Sequence, residues 1–339
     1  MGRAENEALR ILQQNGEAFQ SDIMRATGFS RSTISEALAN LEKRKMIRRM
    51  REGRNSRLIY LGSRNQRARR LKLGFARAAE YPFLVPLRKI LREDGLDVDF
   101  HIYDNGVAVA RDLATFRLDI GIAPLVTLFI MHSLDGAFKV IGPAGAGGSS
   151  VLESPRKGTH GDTGTSAVCT KMSTMEILMR SAESHHDIPE IARLAYAFSP
   201  SEIELSLLSG KADVCSIWEP YATMLESKGA RRVVRYSDLG DDVCCVAAAG
   251  THLGDELIAR ISSSYTASLE ALRRSPSSYT DAYAALSGIE SSTLRRVERE
   301  YTYPEQLSGD SVVSQLQATG VKVPSPPSFK DVLFRDPAP

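Results

Sequence analysis

Residues 208–221, Leu-Ser-Gly-Lys-Ala-Asp-Val-Cys-Ser-Ile-Trp-Glu-Pro-Tyr, decide how most of this 339-residue chain is read. Glu202 to Ser209 predict a helix, Asp213 to Trp218 a short apolar strand, and Tyr221 to Ser227 a further helix. The same alternation continues toward the amino terminus. Strands are predicted at Leu71–Ala76, Val98–Tyr103, Asp119–Ala123, Phe138–Ile141 and Ile191–Phe198. Helices are predicted at Pro82–Glu93, Val107–Thr115, Leu125–Ser133 and Met172–Ala182. In the other direction, Arg232–Tyr236 and Asp242–Ala249 read as strands. Leu257, Ile258, Ile261, Tyr265, Leu269 and Leu272 then keep a 3.6-residue period, and Leu294 and Val297 mark a later helix. Strands alternating with helices predict an α/β body with a largely parallel sheet. Gly145-Ala-Gly-Gly148 has neither the P-loop nor the dinucleotide spacing and is read as a loop. The Pro-rich tail from Val323 is expected to be irregular.

The first 70 residues differ in kind. They carry 16 Lys and Arg against 7 acids, a net +9, whereas the other 269 residues sum to −7, so the overall +2 is a cancellation. A basic head on a mildly acidic body is the footprint of a nucleic-acid module. Ala8, Leu9, Ile11 and Leu12 mark a first helix that stops at Asn15-Gly16, and a second opens near Ser21. After the turn Thr27-Gly28-Phe29, Ser30 caps a third helix. Its Ile34, Ala37, Leu38 and Leu41 face inward, leaving Arg31, Ser32, Thr33, Ser35 and Glu36 outward. Met46–Met50 and Arg57–Leu61 predict two strands joined by a basic hairpin with Gly53 and Asn55 at the turn, its tip presenting Arg54 and Arg57.

Residues 5–61, and above all SDIMRATGFSRSTISEALANLEKRKMIRRMREGRNSRLIYL, resemble the winged helix-turn-helix of MarR-type transcriptional regulators. The resemblance implies double-stranded DNA as partner. Ser30, Arg31, Ser32, Thr33 and Ser35 would lie in the major groove, with Arg54, Asn55 and Arg57 on a wing near the minor groove. The stretch at 208–221 is similar to a signature of type II periplasmic-binding-protein folds of the nitrate, aliphatic-sulfonate and thiamine-pyrimidine group. Phe116–Pro124 resembles the matching first-lobe segment, and Gly164-Thr-Ser166 with Ser173-Thr-Met175 the second-lobe segment facing the ligand. The expected architecture is therefore α/β. A winged helix-turn-helix at residues 1–62 and a linker at 63–70 precede a two-lobed sensing domain at 71–339. Lobe one is expected at 71–150 and 246–339, lobe two at 151–245.

Ligand contacts are expected from Arg77 and Tyr81 after the first strand, Pro124, Thr165, Ser166, Ser173, Thr174, Trp218 and Glu219. Arg77 and hydroxyls at a helix amino end suit an anionic group, and Trp218, the only tryptophan, suits a planar one. No zinc, hydrolase or nucleotide motif occurs, so no metal, cofactor or enzymatic activity is expected. Cys244-Cys245 lies in an apolar strand, unlike the iron-site cysteine cluster of the eukaryotic thiamine-pyrimidine synthases that share the resemblance. The longest apolar run, Gly121–Met131, falls short of the ~20 residues of a membrane span. The opening MGRAENEALR has no apolar signal core, and the four cysteines suit a reducing compartment. The expectation is a cytoplasmic, homodimeric, ligand-responsive DNA-binding regulator with a small anionic or planar metabolite as effector. The alternatives are an enzyme of thiamine-precursor metabolism and a solute-binding protein with an accessory head.

Overall fold

Ala8, Leu9, Ile11 and Leu12 form one buried stripe on the first helix, α1 (Arg3–Asn15). After β1 (Glu17–Phe19), α2 (Gln20–Thr27) ends at Gly28, whose left-handed backbone (φ +70°) lets its amide close on the Met24 carbonyl. Ser30 caps α3 (Arg31–Lys43) by accepting from the Thr33 amide at 3.2 Å. Ile34, Leu38 and Leu41 of α3 meet the α1 stripe, Ile23, and Ile47 and Ile59 of β2 (Ile47–Glu52) and β3 (Ser56–Leu61). The sheet order is β1-β3-β2, all antiparallel, so the two predicted strands gain a third.

The computed structural model describes residues 2–15, 17–44, 46–52, 56–61, 69–156, 164–239, 243–307, 315, 317 and 329–334. The chain divides into two units, residues 1–70 with 92–97 and residues 71–91 with 98–339.

The body of the chain opens with β4 (Arg69–Ala76), α4 (Leu84–Glu93), β5 (Leu96–Tyr103), α5 (Gly106–Ala114), β6 (Ile120–Pro124), α6 (Leu125–Asp135) and β7 (Phe138–Gly147). It continues with β8 (Ser149–Glu153), β9 (Thr165–Thr170), α7 (Thr174–Ser184), β10 (Ile191–Ala197), α8 (Pro200–Leu208), β11 (Val214–Trp218), α9 (Tyr221–Ser227), β12 (Arg231–Arg235) and α10 (Tyr236–Leu239). β13 (Val243–Gly250), α11 (Asp255–Arg274), α12 (Thr280–Ser287), α13 (Ser291–Val297), β14 (Tyr301–Thr302) and α14 (Phe329–Val332) complete it.

Two sheets result, with orders β14-β7-β13-β6-β4-β5 and β10-β9-β11-β8-β12. Each is the floor of one lobe. Val109, Leu113, Phe129, Phe138 and Val246 pack in lobe one, and Leu152, Val168, Ile203, Leu207 and Ile217 in lobe two. The sheets are mixed rather than largely parallel. β4 and β6 are parallel, as are β9, β10 and β11, but β8 and β13 run antiparallel to their neighbours. These are the first strands after the chain crosses between sheets, and they enter from the opposite end.

The Gly-rich stretch read as a loop is the end of β7, paired with β13 and β14. It belongs to the sheet because two strands cover its edges. At the crossing, Gly148 has φ +63°, and a Cβ there would fall 1.9 Å from the Tyr301 ring. The lobe boundaries shift accordingly: Ser149 and Ser150 belong to lobe two, and Val243, Cys244 and Cys245 to lobe one. Arg69 and Arg70 of the expected linker already form the start of β4. Among the described residues no helix is long and apolar enough to cross a membrane.

Candidate functional site

The ends of the strands converge between the lobes. Lobe one contributes Ala76 at the end of β4, then Ala78, Glu80 and Tyr81, with Gly106 opening α5, Pro124 ending β6, and Cys244 and Cys245 of β13. Lobe two contributes Ser149 opening β8, Thr170 ending β9, Ser173, Thr174 and Met175 where α7 begins, and Trp218 ending β11. Carboxyl ends of strands are where open α/β sheets hold ligands, because helix amino termini and short loops gather there. The enclosed space is about 40 Å³. That is room for a few waters, since one needs ~10–15 Å³ by such a measure.

Hydrogen bonds cross the gap between the lobes. The Trp218 indole donates to the Arg77 carbonyl at 2.8 Å, Thr174 Oγ1 to the Cys244 carbonyl at 3.1 Å, and Asn105 Nδ2 to the Phe198 carbonyl at 2.7 Å. Thr127 of α6 donates to the Met172 carbonyl at 2.5 Å, beside an apolar contact of Val126 and Ile130 with Ile177. The lobes are therefore closed on one another.

The floor of the cavity is acidic and sulfur-bearing. Glu80 is buried, and burial pushes its carboxyl up to about 7. Its Oε1 accepts from Cys244 Sγ at 3.6 Å, while the Tyr81 hydroxyl donates to Cys245 Sγ at 3.5 Å. The hydrogen bond with Cys245, then burial, raises the Cys244 thiol well above its ordinary range. At Cys245 the hydrogen bond with Cys244 pulls the thiol down, and burial carries it above its ordinary value. On the opposite wall the Ser173 hydroxyl lies 2.7 Å from both Thr170 Oγ1 and the Thr170 carbonyl.

Of the expected ligand residues, Tyr81, Pro124, Ser173, Thr174 and Trp218 line this space. Four do not. Arg77 is exposed, because Ala76, Ala78 and Glu80 face the cavity and the residues between them turn away. Among the described lining residues there is no Lys or Arg. Thr165 and Ser166 lie at the amino end of β9, the far end from Thr170. Ser166 is bound there to the Asp213 carboxylate, its amide at 2.8 Å and its hydroxyl at 2.7 Å.

Glu219 is fully buried in an ion pair. It accepts from Arg232 Nη2 at 2.7 Å and from the Thr223 amide at 3.0 Å, and its carbonyl accepts from the Ala79 amide. Arg232 also holds Glu226 at 2.7 Å and Ser150 at 2.9 Å. The pair fastens the crossing between lobes and leaves Glu219 no free oxygen for a ligand.

Glu80, Thr170, Cys244 and Cys245 were not singled out from sequence as ligand contacts. Glu80 lies one residue before a chosen position. The cysteine pair reads as core by composition, and only its register turns it to the cavity.

In the head, Ser30, Arg31, Ser32, Thr33 and Ser35 are all exposed along the first turns of α3. Ser30 Oγ lies 2.9 Å from Ser32 Oγ and 2.8 Å from Thr33 Oγ1. Arg54 and Asn55 lie outside the described residues, and Arg57 stands on β3, paired with Arg51 of β2.

The body has the fold of periplasmic binding proteins. Solved structures similar to it include these three. One is the ligand-binding component of an ABC-type import system from Staphylococcus aureus with zinc bound, 16% identical with a TM-score of 0.67 over 78% of this chain and 96% of that one. Another is the periplasmic aliphatic sulphonate binding protein of Escherichia coli, 15% identical with a TM-score of 0.61 over 78% and 97%. The third is a conserved Candida albicans gene product exhibiting the generic periplasmic binding protein fold, 10% identical with a TM-score of 0.60 over 74% and 88%. Identities this low establish the fold alone. A family model described as Domain of unknown function (DUF7343) matches residues 3–60. No curated protein matches the sequence.

Proposed function

We propose that this chain is a small-molecule-binding protein whose ligand sits between the two lobes. The observation that carries the reading is the convergence of the ends of β4, β6, β9 and β11 and the start of α7 on one enclosed space. The present volume is too small for a metabolite, so entry requires the lobes to part. The single hydrogen bonds that span the gap are of the kind a ligand's own contacts replace. With Trp218 and Tyr81 on its walls and no cationic side chain among the described lining residues, the cavity suits a planar, uncharged molecule. Of the two grounds for an anion, Arg77 does not line the cavity; the Ser173 and Thr174 hydroxyls do, but their hydrogen bonds go to Thr170 and to the Cys244 carbonyl. The reading includes no catalytic step and no organic cofactor.

The import components among the structural neighbours support a solute-binding role. Those alignments leave about a fifth of the chain without a counterpart. A second reading rests on that remainder. The exposed hydroxyls and Arg31 on the first turns of α3, with an antiparallel β2–β3 pair behind it, favour a winged helix on double-stranded DNA. On this reading the protein is a cytoplasmic homodimer in which lobe closure controls operator binding. A mobility-shift titration of the full chain on random double-stranded DNA at about 50 and 200 mM salt separates the two roles. Steeply salt-dependent binding that weakens in Arg31→Ala is expected of the regulator. Absence of binding at the lower salt leaves the solute-binding role.

A further inference from the structure

On a regular strand, successive side chains point to opposite faces. Cys244 and Cys245 do not: both line the same cavity. The register of β13 against β7 shows why. Val243 pairs with Ala146 and Cys245 with Gly145, so Cys244 is an extra residue on its strand, and a bulge of this kind re-aims side chains. Glu80 completes the group. Its carboxyl packs over Gly145, where any Cβ would come within 2.8 Å of Oε1. One carboxylate oxygen and two sulfurs then lie within 4.8 Å of one another, all on buried residues.

We propose that Glu80, Cys244 and Cys245 form a three-ligand site for a thiophilic divalent cation, with zinc as the reference ion. Zinc bonds of ~2.3 Å to sulfur and ~2.0 Å to oxygen in a tetrahedron place sulfur and oxygen ~3.5 Å apart and two sulfurs ~3.8 Å apart. The observed 3.6 Å between Glu80 Oε1 and Cys244 Sγ already matches the first edge. Binding releases the thiol protons, because the thiolate is the ligand form. The fourth position opens on the space between the lobes, available to water or to the small molecule. The site rests on the preceding reading only for that fourth ligand. Metal uptake is measured with no small molecule present, so its failure leaves the small-molecule reading standing.

The test is zinc and cobalt(II) binding to the full chain, reduced, stripped with chelator and then dialysed. About one equivalent of zinc per chain is expected, with a sulfur-to-cobalt charge-transfer band in the near ultraviolet for the cobalt form. Cys244→Ala and Cys245→Ala each weaken binding by about tenfold or more and Glu80→Gln by less, whereas Cys169→Ala leaves it unchanged. If these variants do not fold, alkylation of the wild-type protein, mapped by mass spectrometry, provides the readout. Zinc is expected to slow alkylation of Cys244 and Cys245, which face the cavity, and to leave the rates at Cys169 and Cys215, which are fully buried and do not line it, unchanged. Stoichiometry near zero in folded protein, or alkylation of Cys244 and Cys245 at the same rate with and without zinc, overturns the site.

Discussion

Two buried acids of the body show how environment assigns different work to one residue type. Glu219 has Arg232 on one oxygen and the Thr223 amide on the other. Removing the cation with Arg232→Met strands a carboxylate in the core and is expected to cost about 3–5 kcal/mol in urea unfolding. Arg77→Ala, on the exposed side chain, is expected to stay within about 0.5 kcal/mol.

Among the described residues no cation pairs with Glu80, and burial pushes its carboxyl up to about 7. The folded chain therefore keeps a proton that an unfolded glutamate loses near 4.5. The resulting stability is complete below 4.5, falls by about 1.4 kcal/mol per pH unit as pH rises toward 7, and is constant above. In metal-free protein with chelator present, Glu80→Gln should gain on the wild type between pH 5 and 7 and run parallel to it thereafter. A pH-independent difference would contradict the burial-raised carboxyl of Glu80. From sequence, Glu219 was the conspicuous acid, beside Trp218 and Pro220, and Glu80 was not. Adjacent residue types advertise a turn; they do not reveal which oxygen is already engaged.

At the scale of elements, most of the body was legible because each helix and strand carries its own period. Tyr221–Ser227 appears as read, and α6 extends the Leu125 run by two residues to Asp135. β8 was missed, since Ser149 to Glu153 is short and its burial comes from β11 and β12, far along the chain. The expected parallel sheet failed for the same reason: strand direction at a crossing between lobes is a property of the connection, not of local composition. The bulge at Cys244 leaves no trace in composition either.

Two substitutions test the local geometry. Ser30→Ala removes the α3 cap and is expected to destabilise the head by about 1 kcal/mol, read as faster amide exchange in the first turn of α3. Gly148→Ala sets a methyl group against the Tyr301 ring in a left-handed conformation. It is expected to lower the thermal midpoint, and pairing it with Tyr301→Ala should relieve the steric part but not the backbone part.

The whole molecule joins a +9 segment, in which residues 3–60 match a family of unknown function, to a body of established fold. The charge split was plain in the sequence, and so was the signature at 208–221. The character of the cavity was not, because it is assembled from strand ends separated by up to about 170 residues, with its cation turned outward and its acid inward. The claim on which everything else depends is that the space between the lobes takes a small molecule. Trp218 is the only tryptophan and its indole bridges the lobes to the Arg77 carbonyl, so its emission reports directly on that space. The decisive measurement is Trp218 fluorescence during titration with aminopyrimidines, neutral planar amides and aliphatic sulfonates. A saturable change with an uncharged planar compound, and none with the sulfonates, is the expected result. Unchanged emission across the panel, with the thermal midpoint unmoved at saturating concentrations, would contradict it.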